Sequence, residues 1–295
     1  MKNAMQLKAA IRKISAENHI PAQLVMQNYM LERLLERISL SSYKDNFILK
    51  GGLLIASMAG LSSRATMDMD ATIRKYPVNG ESIQQMFEKI TCINLDDGIT
   101  FTLQHIGKIR EKDEYDGYRV ALTANFLPMQ VPLKLDLTTG DKITPDAIEY
   151  HYSMMFEDRS LSIFAYNIET ILAEKLETVI SRGDQNTRPR DYYDIFILFN
   201  LKSKQINPMW LGKALDKTAR KRNSAAIIPH YREIMTQVQA SSVMQSYWEK
   251  YQKDYKYAQN LNFTELCENV IKIMNLIDGY ESKEKARLRN RDSRS

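Results

Sequence analysis

Two aspartates one residue apart, Asp68 and Asp70 in "TMDMDATIRK", carry the sharpest chemical signal in the sequence. On a strand, residues i and i+2 face the same side, so both carboxylates would project together. Like charges that close repel, which is costly unless a cation or a basic group sits between them. A third acid, Asp136, lies in "VPLKLDLTT" (131–139), where Val131, Leu133, Leu135 and Leu137 alternate with Lys134, Asp136 and Thr138. If the two strands pair side by side, three carboxylates meet at one site. Oxygen-rich clusters suit Mg²⁺ or Mn²⁺. Two such ions can clamp the attacking and leaving oxygens of a phosphoryl transfer.

Upstream stands a glycine pair, Gly51 and Gly52, in "KGGLLIASMAGL". Glycines that open a helix leave N–H groups free for phosphate and let a ligand approach the backbone. Each part alone has a plainer explanation. A D-x-D can be a solvated strand edge, a Gly pair a turn, and Asp136 a solvent-facing strand residue. The order of parts says more: strand, Gly-Gly, short helix, D-x-D strand, later strand with one Asp.

Those residues need a scaffold. Apolar spacing predicts helices over 4–17 and 22–40, with Leu24, Val25, Tyr29, Leu31 and Leu35 on the buried side of the second. "NFILK" (46–50) reads as a strand, "LLIASMAGL" (53–61) as a short helix, and "MDMDATIRK" (67–75) as a strand ended by Pro77 and the Asn79–Gly80 turn. A helix over 81–93 follows, then strands over 99–109, 118–126 and 131–139, and a mixed, extended stretch over 148–166. From residue 168 the pattern turns helical: 168–182, 190–201 after Pro189, 208–222, 229–256 and 263–288. The prediction is an α+β domain over 1–166 and an all-helical domain over 167–295.

Bulk properties narrow the field. The chain has 295 residues, 44% hydrophobic and 26% charged, with a net charge of +5. That is ordinary globular composition, mildly basic and compatible with a nucleic-acid partner. No apolar run approaches the roughly 20 residues of a membrane helix, and the N-terminus lacks a signal-peptide core. Cys92 and Cys267 stand far apart, so a disulfide framework is not expected and a reducing cytoplasm fits. His19, His105, His151 and His230 are scattered without metal-ligand spacing, and no P-loop, Rossmann, zincin or nucleophile-elbow motif occurs.

The order of the acidic motifs resembles the DNA polymerase β-type nucleotidyltransferase superfamily. Gly51-Gly52, Asp68, Asp70 and Asp136 match its Gly-Gly or Gly-Ser turn, D-x-D and third carboxylate. The position that is often Ser there is Gly52 here, so backbone N–H groups must replace a hydroxyl. A narrower resemblance spans most of the first 200 residues. "KGG" with "SRATMDMD", then "KLDL", "ILAEKLETVISR" and "RPRDYYDIFIL" look like the four motifs of the AbiEii/AbiGii toxin family. That family is the toxin half of a bacterial abortive-infection, type IV-like toxin–antitoxin pair.

The resemblance implies a polymerase β-like domain with a mixed sheet, then a helical domain carrying the last two motifs. It implies Mg²⁺ (or Mn²⁺) on Asp68, Asp70 and Asp136, an NTP as substrate, and Lys175 on nucleotide phosphates. Asp191 and Asp194 would belong to the same active site. Lys50, Arg64 and Thr66, with Gly51 and Gly52, would hold the triphosphate or shape the loop around it. Read without the resemblance, Lys175 ends a solvated helix face, Asp191 complements a helix dipole, and Asp194 pairs with Arg190 four residues away. Tyr192, Tyr193 and the late aromatics Tyr247, Trp248, Tyr251 and Tyr255 read as core or helix packing.

The expected function is transfer of a nucleotidyl group from NTP to RNA, tRNA above all. The expected partner is a separate antitoxin that forms no tight complex. Three alternatives stay open: a kinase-like NTP-dependent toxin, a metal-dependent nuclease and a non-catalytic RNA-binding module. Two basic clusters, "KTARKR" (217–222) and the tail "ESKEKARLRNRDSRS" (281–295), are candidate arms for a polyanion.

Overall fold

The computed structural model describes residues 3–109 and 117–292, with 285–292 as backbone alone. The chain divides into two compact units: Met1–Asp141 with Ala147–Tyr166, and Lys142–Asp146 with Asn167–Ser295.

The first unit begins with helices α1 (Ala4–Asn18) and α2 (Ala22–Leu40), followed by strand β1 (Phe47–Lys50), helix α3 (Gly51–Ala59) and strand β2 (Asp68–Ile73). Helix α4 (Gly80–Thr91) precedes β3 (Thr100–Lys108), β4 (Tyr118–Phe126), β5 (Met129–Thr139), β6 (Ile148–Ser153) and β7 (Ser160–Ala165). The strands form one mixed sheet in the order β3-β4-β5-β2-β1-β7-β6. β2 runs parallel to β5 and β1 parallel to β7; the other neighbours are antiparallel. Strict alternation decides the faces. Val120, Leu122 and Ala124 of β4 and Leu133, Leu135 and Leu137 of β5 are buried, and α2 packs against β5. Their neighbours Arg119, Lys134, Asp136 and Thr138 therefore share the opposite face.

The short helix predicted over 53–61 starts earlier, at Gly51, directly on the end of β1. The extended stretch over 148–166 resolves into the hairpin of β6 and β7.

The second unit holds α5 (Ile168–Arg182), α6 (Pro189–Lys202), α7 (Pro208–Lys221), α8 (Tyr231–Ala240), α9 (Ser242–Asp254) and α10 (Phe263–Asp292). Asn167 caps α5 by accepting from Thr170 N at 2.7 Å, and its amide holds the Thr144 and Asp146 carbonyls. Leu172, Leu176, Tyr192, Ile195, Leu211, Met235, Leu266 and Val270 form the core. The single helix predicted over 229–256 is two. Ser241 takes an extended conformation after α8, and its hydroxyl accepts from Met244 N to start α9. No helix among the described residues is long and apolar enough to cross a membrane.

Candidate active site

The first constellation lies on the polar face of the sheet. β2 sits between β1 and β5, and its register places Asp70 opposite Lys50 on one side and Asp136 on the other. Asp68 lies opposite Lys134. Met69 and Ala71 are buried on the far side, so Asp68, Asp70 and Thr72 share the face of Asp136 and Thr138. The Asp68 carboxyl is held above its ordinary pKa, first by partial burial and then by the charges of Asp70 and Asp136; Lys134 and Arg119 oppose the shift.

Asp136 is not idle. Arg119, its register partner on β4, donates from Nε to Oδ1 and from a terminal nitrogen to Oδ2, both at 2.8 Å. This bidentate pair raises the Arg119 pKa. It also turns the Asp136 carboxylate toward β4. Among the described residues, no three His, Cys, Asp or Glu side chains converge closely enough to hold a metal ion. The three carboxylates share a face in adjacent strands without forming a cage. Their chemistry still fits Mg²⁺ or Mn²⁺: hard oxygen donors, with repulsion at Asp68 that a cation would relieve.

Beside Asp70 begins α3. Lys50, at its N-cap, makes no side-chain capping bond, so the first N–H groups of the helix have no side-chain acceptor there. Such a terminus favours an anion. Gly51 has φ +67°, and a Cβ there would collide with the Asp70 carboxylate. Only glycine permits both the backbone turn and the approach of the carboxylate. At Gly52 a Cβ would lie 2.7 Å from Thr66 Oγ1 and 3.4 Å from an Arg64 terminal nitrogen. Both side chains are buried. The hydroxyl that a serine at position 52 would bring is thus present in space, carried by Thr66.

Lys50 itself is engaged. Its Nζ donates to Thr138 Oγ1 at 2.7 Å and to Asp141 Oδ2 at 2.5 Å. The same Asp141 oxygen accepts from the Tyr166 hydroxyl at 2.9 Å and from the Thr72 hydroxyl. Lys50 therefore stands on the carboxylate face as a clamped residue. Sequence reasoning missed Asp141, Tyr166 and Arg119. Only Arg119 left a trace, as a polar position in the alternating "YRVALTANF".

The second constellation belongs to the helical unit. Lys175 of α5 donates to Asp194 Oδ2 at 2.7 Å and to Asp191 Oδ1, both on α6. Pro189 opens α6, which puts Asp191 in its first turn and Asp194 on the same side three residues on. Both aspartates are fully buried, and Arg188 Nε lies 3.0 Å from Asp191 Oδ2. A lysine bonded to two buried acids is held in a fixed position. Tyr192 and Tyr193 are core, as expected.

Residues 33–269 match the family described as nucleotidyl transferase AbiEii toxin, type IV TA system. A crystal structure of a protein from H. pylori described as a candidate nucleotidyltransferase shares the fold, with a TM-score of 0.50 at 15% identity, covering 90% of this chain and 98% of that one. JHP933 from Helicobacter pylori aligns with a TM-score of 0.49 at 15% identity, over 92% of this chain and 98% of that one. No curated protein matches in sequence. The family match spans most of the chain and both constellations, and the protein belongs to the AbiEii nucleotidyltransferase toxins of type IV toxin–antitoxin systems.

Proposed function

We propose that this enzyme transfers a nucleotidyl group from an NTP to RNA, with tRNA as the acceptor class, and that this arrests growth in the cytoplasm of the host. The observation that carries the reading is the start of α3. Its N-terminus, without a side-chain cap, opens through Gly51 directly against Asp70, and Asp136 lies beside Asp70 in register. A nuclease needs no such triphosphate cradle.

In this reading the N–H groups of Gly51 and Gly52, the Thr66 hydroxyl and the Arg64 guanidinium bind phosphate oxygens. Mg²⁺ or Mn²⁺ held by Asp68, Asp70 and Asp136 would neutralise the triphosphate and polarise the α-phosphorus. The acceptor hydroxyl oxygen bonds to the α-phosphorus, the bond to the β-phosphate oxygen breaks, and pyrophosphate leaves. Asp136 helps orient the hydroxyl and take up its proton. Lys175, fixed by Asp191 and Asp194, supplies a phosphate-binding charge. Lys50 orients the strand end through Asp141. The antitoxin acts as a separate gene product without a tight complex.

Incubating the protein with total RNA, Mg²⁺ and each NTP labelled at the α- or the γ-phosphate tests this. RNA labelled from the α-position alone is expected. Label from the γ-position alone would establish a kinase, and RNA cleavage without NTP a nuclease. Full toxicity of Asp68→Ala at equal protein level would overturn the assignment of the site.

A further inference from the structure

Two of the four charges in "KTARKR" are answered within its own unit. Arg220 Nε lies 2.8 Å from Asp216 Oδ1, and Arg222 pairs with Glu177 and reaches Glu174 at 3.7 Å. The tail side chains from residue 285 onward lie outside the described residues. Positive charge without an acidic partner also lies on another part of the unit. Lys250, Lys253 and Lys256, on the last turns of α9 and the 3-10 turn after it, are exposed, and among the described residues none of them is in an ion pair. Glu249 and Asp254 are exposed nearby, and the balance over 249–257 remains positive.

These lysines flank a cluster of tyrosines. Helical spacing would carry Tyr255 along the buried stripe of Trp248 and Tyr251. Instead α9 stops at Asp254, Tyr255 is extended (φ −131°, ψ 105°), and the turn Lys256–Ala258 brings Tyr257 back beside it. The two rings lie 5.3 Å apart at 27°, stacked and half-buried. They are braced from below. Tyr255 rests on buried Tyr251 at 4.7 Å, and Tyr257 on buried Tyr193 at 5.0 Å. The Tyr251 and Tyr257 hydroxyls are 3.0 Å apart. Rings held this way lose little freedom when a further flat group stacks on them.

We infer that Tyr255 and Tyr257, with Lys250, Lys253 and Lys256, form a surface for the unpaired nucleotides of an RNA: the rings stack with bases and the ammonium groups hold phosphates. Stacking tolerates any base, so this surface grips single strands without reading sequence. The inference rests on the RNA-acceptor reading above and names the part of the helical unit that holds that acceptor.

Fluorescence anisotropy with a labelled single-stranded oligoribonucleotide, over a salt series, tests it in the full-length protein. Tyr255→Leu/Tyr257→Leu should bind roughly five- to 150-fold more weakly per lost stacked base, while Tyr255→Phe/Tyr257→Phe stays near wild type. Lys250→Gln/Lys253→Gln/Lys256→Gln should flatten the salt slope by about two, at about 0.7 per phosphate contact. Melting temperature and NTP binding of each variant control for folding. Unchanged affinity in the folded Leu pair, no binding of the oligonucleotide by wild type, or equal grip on blunt duplex would each overturn the inference. The α-label assay separates the two readings. Ring-dependent binding without any labelled RNA sinks the acceptor reading alone; labelled RNA with an unchanged KM for RNA in the Leu pair sinks the surface alone.

Discussion

The contact between Gly52 and Thr66 leads to an expected reversal. Gly52→Ser would place a Cβ 2.7 Å from Thr66 Oγ1, 3.1 Å from Thr66 Cβ and 3.4 Å from Arg64. Thr66 and Arg64 are buried, so neither can simply swing into solvent. Overpacking of that kind costs about 1–3 kcal/mol. Thr66→Ala alone removes the hydroxyl beside the phosphate cradle and should weaken NTP binding. Combined, the changes answer one another. The 2.7 Å clash disappears with Oγ1, the remaining 3.1 Å contact is tight but tolerable, and the serine restores a hydroxyl at the helix start. The double variant should be more stable than Gly52→Ser and bind NTP more tightly than either single variant. The expected coupling is about 1–2 kcal/mol, within the range for residues in direct contact. Thermal melts measure the stability term, and calorimetry with NTP and Mg²⁺ measures the binding term. Additive effects in both assays would refute the claim that Thr66 fills the place of a serine at position 52.

Arg119→Met releases Asp136 from its bidentate partner, so Mg²⁺ affinity measured by calorimetry without NTP should rise; a fall would show that Arg119 helps to build the metal site. Lys175→Ala leaves Asp191 and Asp194 buried without their shared cation and should cost about 3–5 kcal/mol in chemical denaturation; a loss under 1 kcal/mol would show that Arg188 suffices. Glu32, buried among Arg33, Glu36 and Glu157 and accepting from Met155 N, has its carboxyl pushed up to about 7, chiefly by burial. The folded chain then keeps a proton that the unfolded chain has already lost, so the group costs stability as pH rises from about 4.5 through 7, by up to about 3 kcal/mol. Glu32→Gln should therefore melt higher than wild type by a margin that widens between pH 5 and pH 8; a constant margin would refute this.

Periodicity was the strongest guide to the elements. The clean alternation of β5 and the spacing of Leu7, Ile11 and Ile14 or of Leu172, Leu176 and Val179 announce a strand and helices because each element buries one face. It failed at helix ends: Ser241 interrupts the run over 229–256, and α9 stops at Asp254 just before the extended Tyr255, though the hydrophobic pattern continues past both. The D-x-D and the Gly pair were legible as candidate chemistry because their residue types are costly without a ligand or a strained backbone. Arg119 and Asp141 were not, since an arginine on a strand and an aspartate after a glycine are commonplace in sequence.

By itself, then, the sequence determined local matters: which stretches bury a face, which residues carry charge, where glycine is needed, and to which family the motifs point. The tertiary structure decided what depends on partners distant along the chain. Parallel pairing of β2 with β5 sets Asp70 beside Asp136, and β4 brings Arg119 to the same carboxylate. Folding of the loop before β2 puts the Thr66 hydroxyl where Gly52 has no side chain. Packing of α5 on α6 gives Lys175 two buried acids, and the close of α9 leaves two tyrosine rings partly open among exposed lysines. The reason is physical: a charge or a hydroxyl is given its role by what lies within about 3 Å of it, and at Asp136, Gly52 and Lys175 those neighbours come from other elements of the chain.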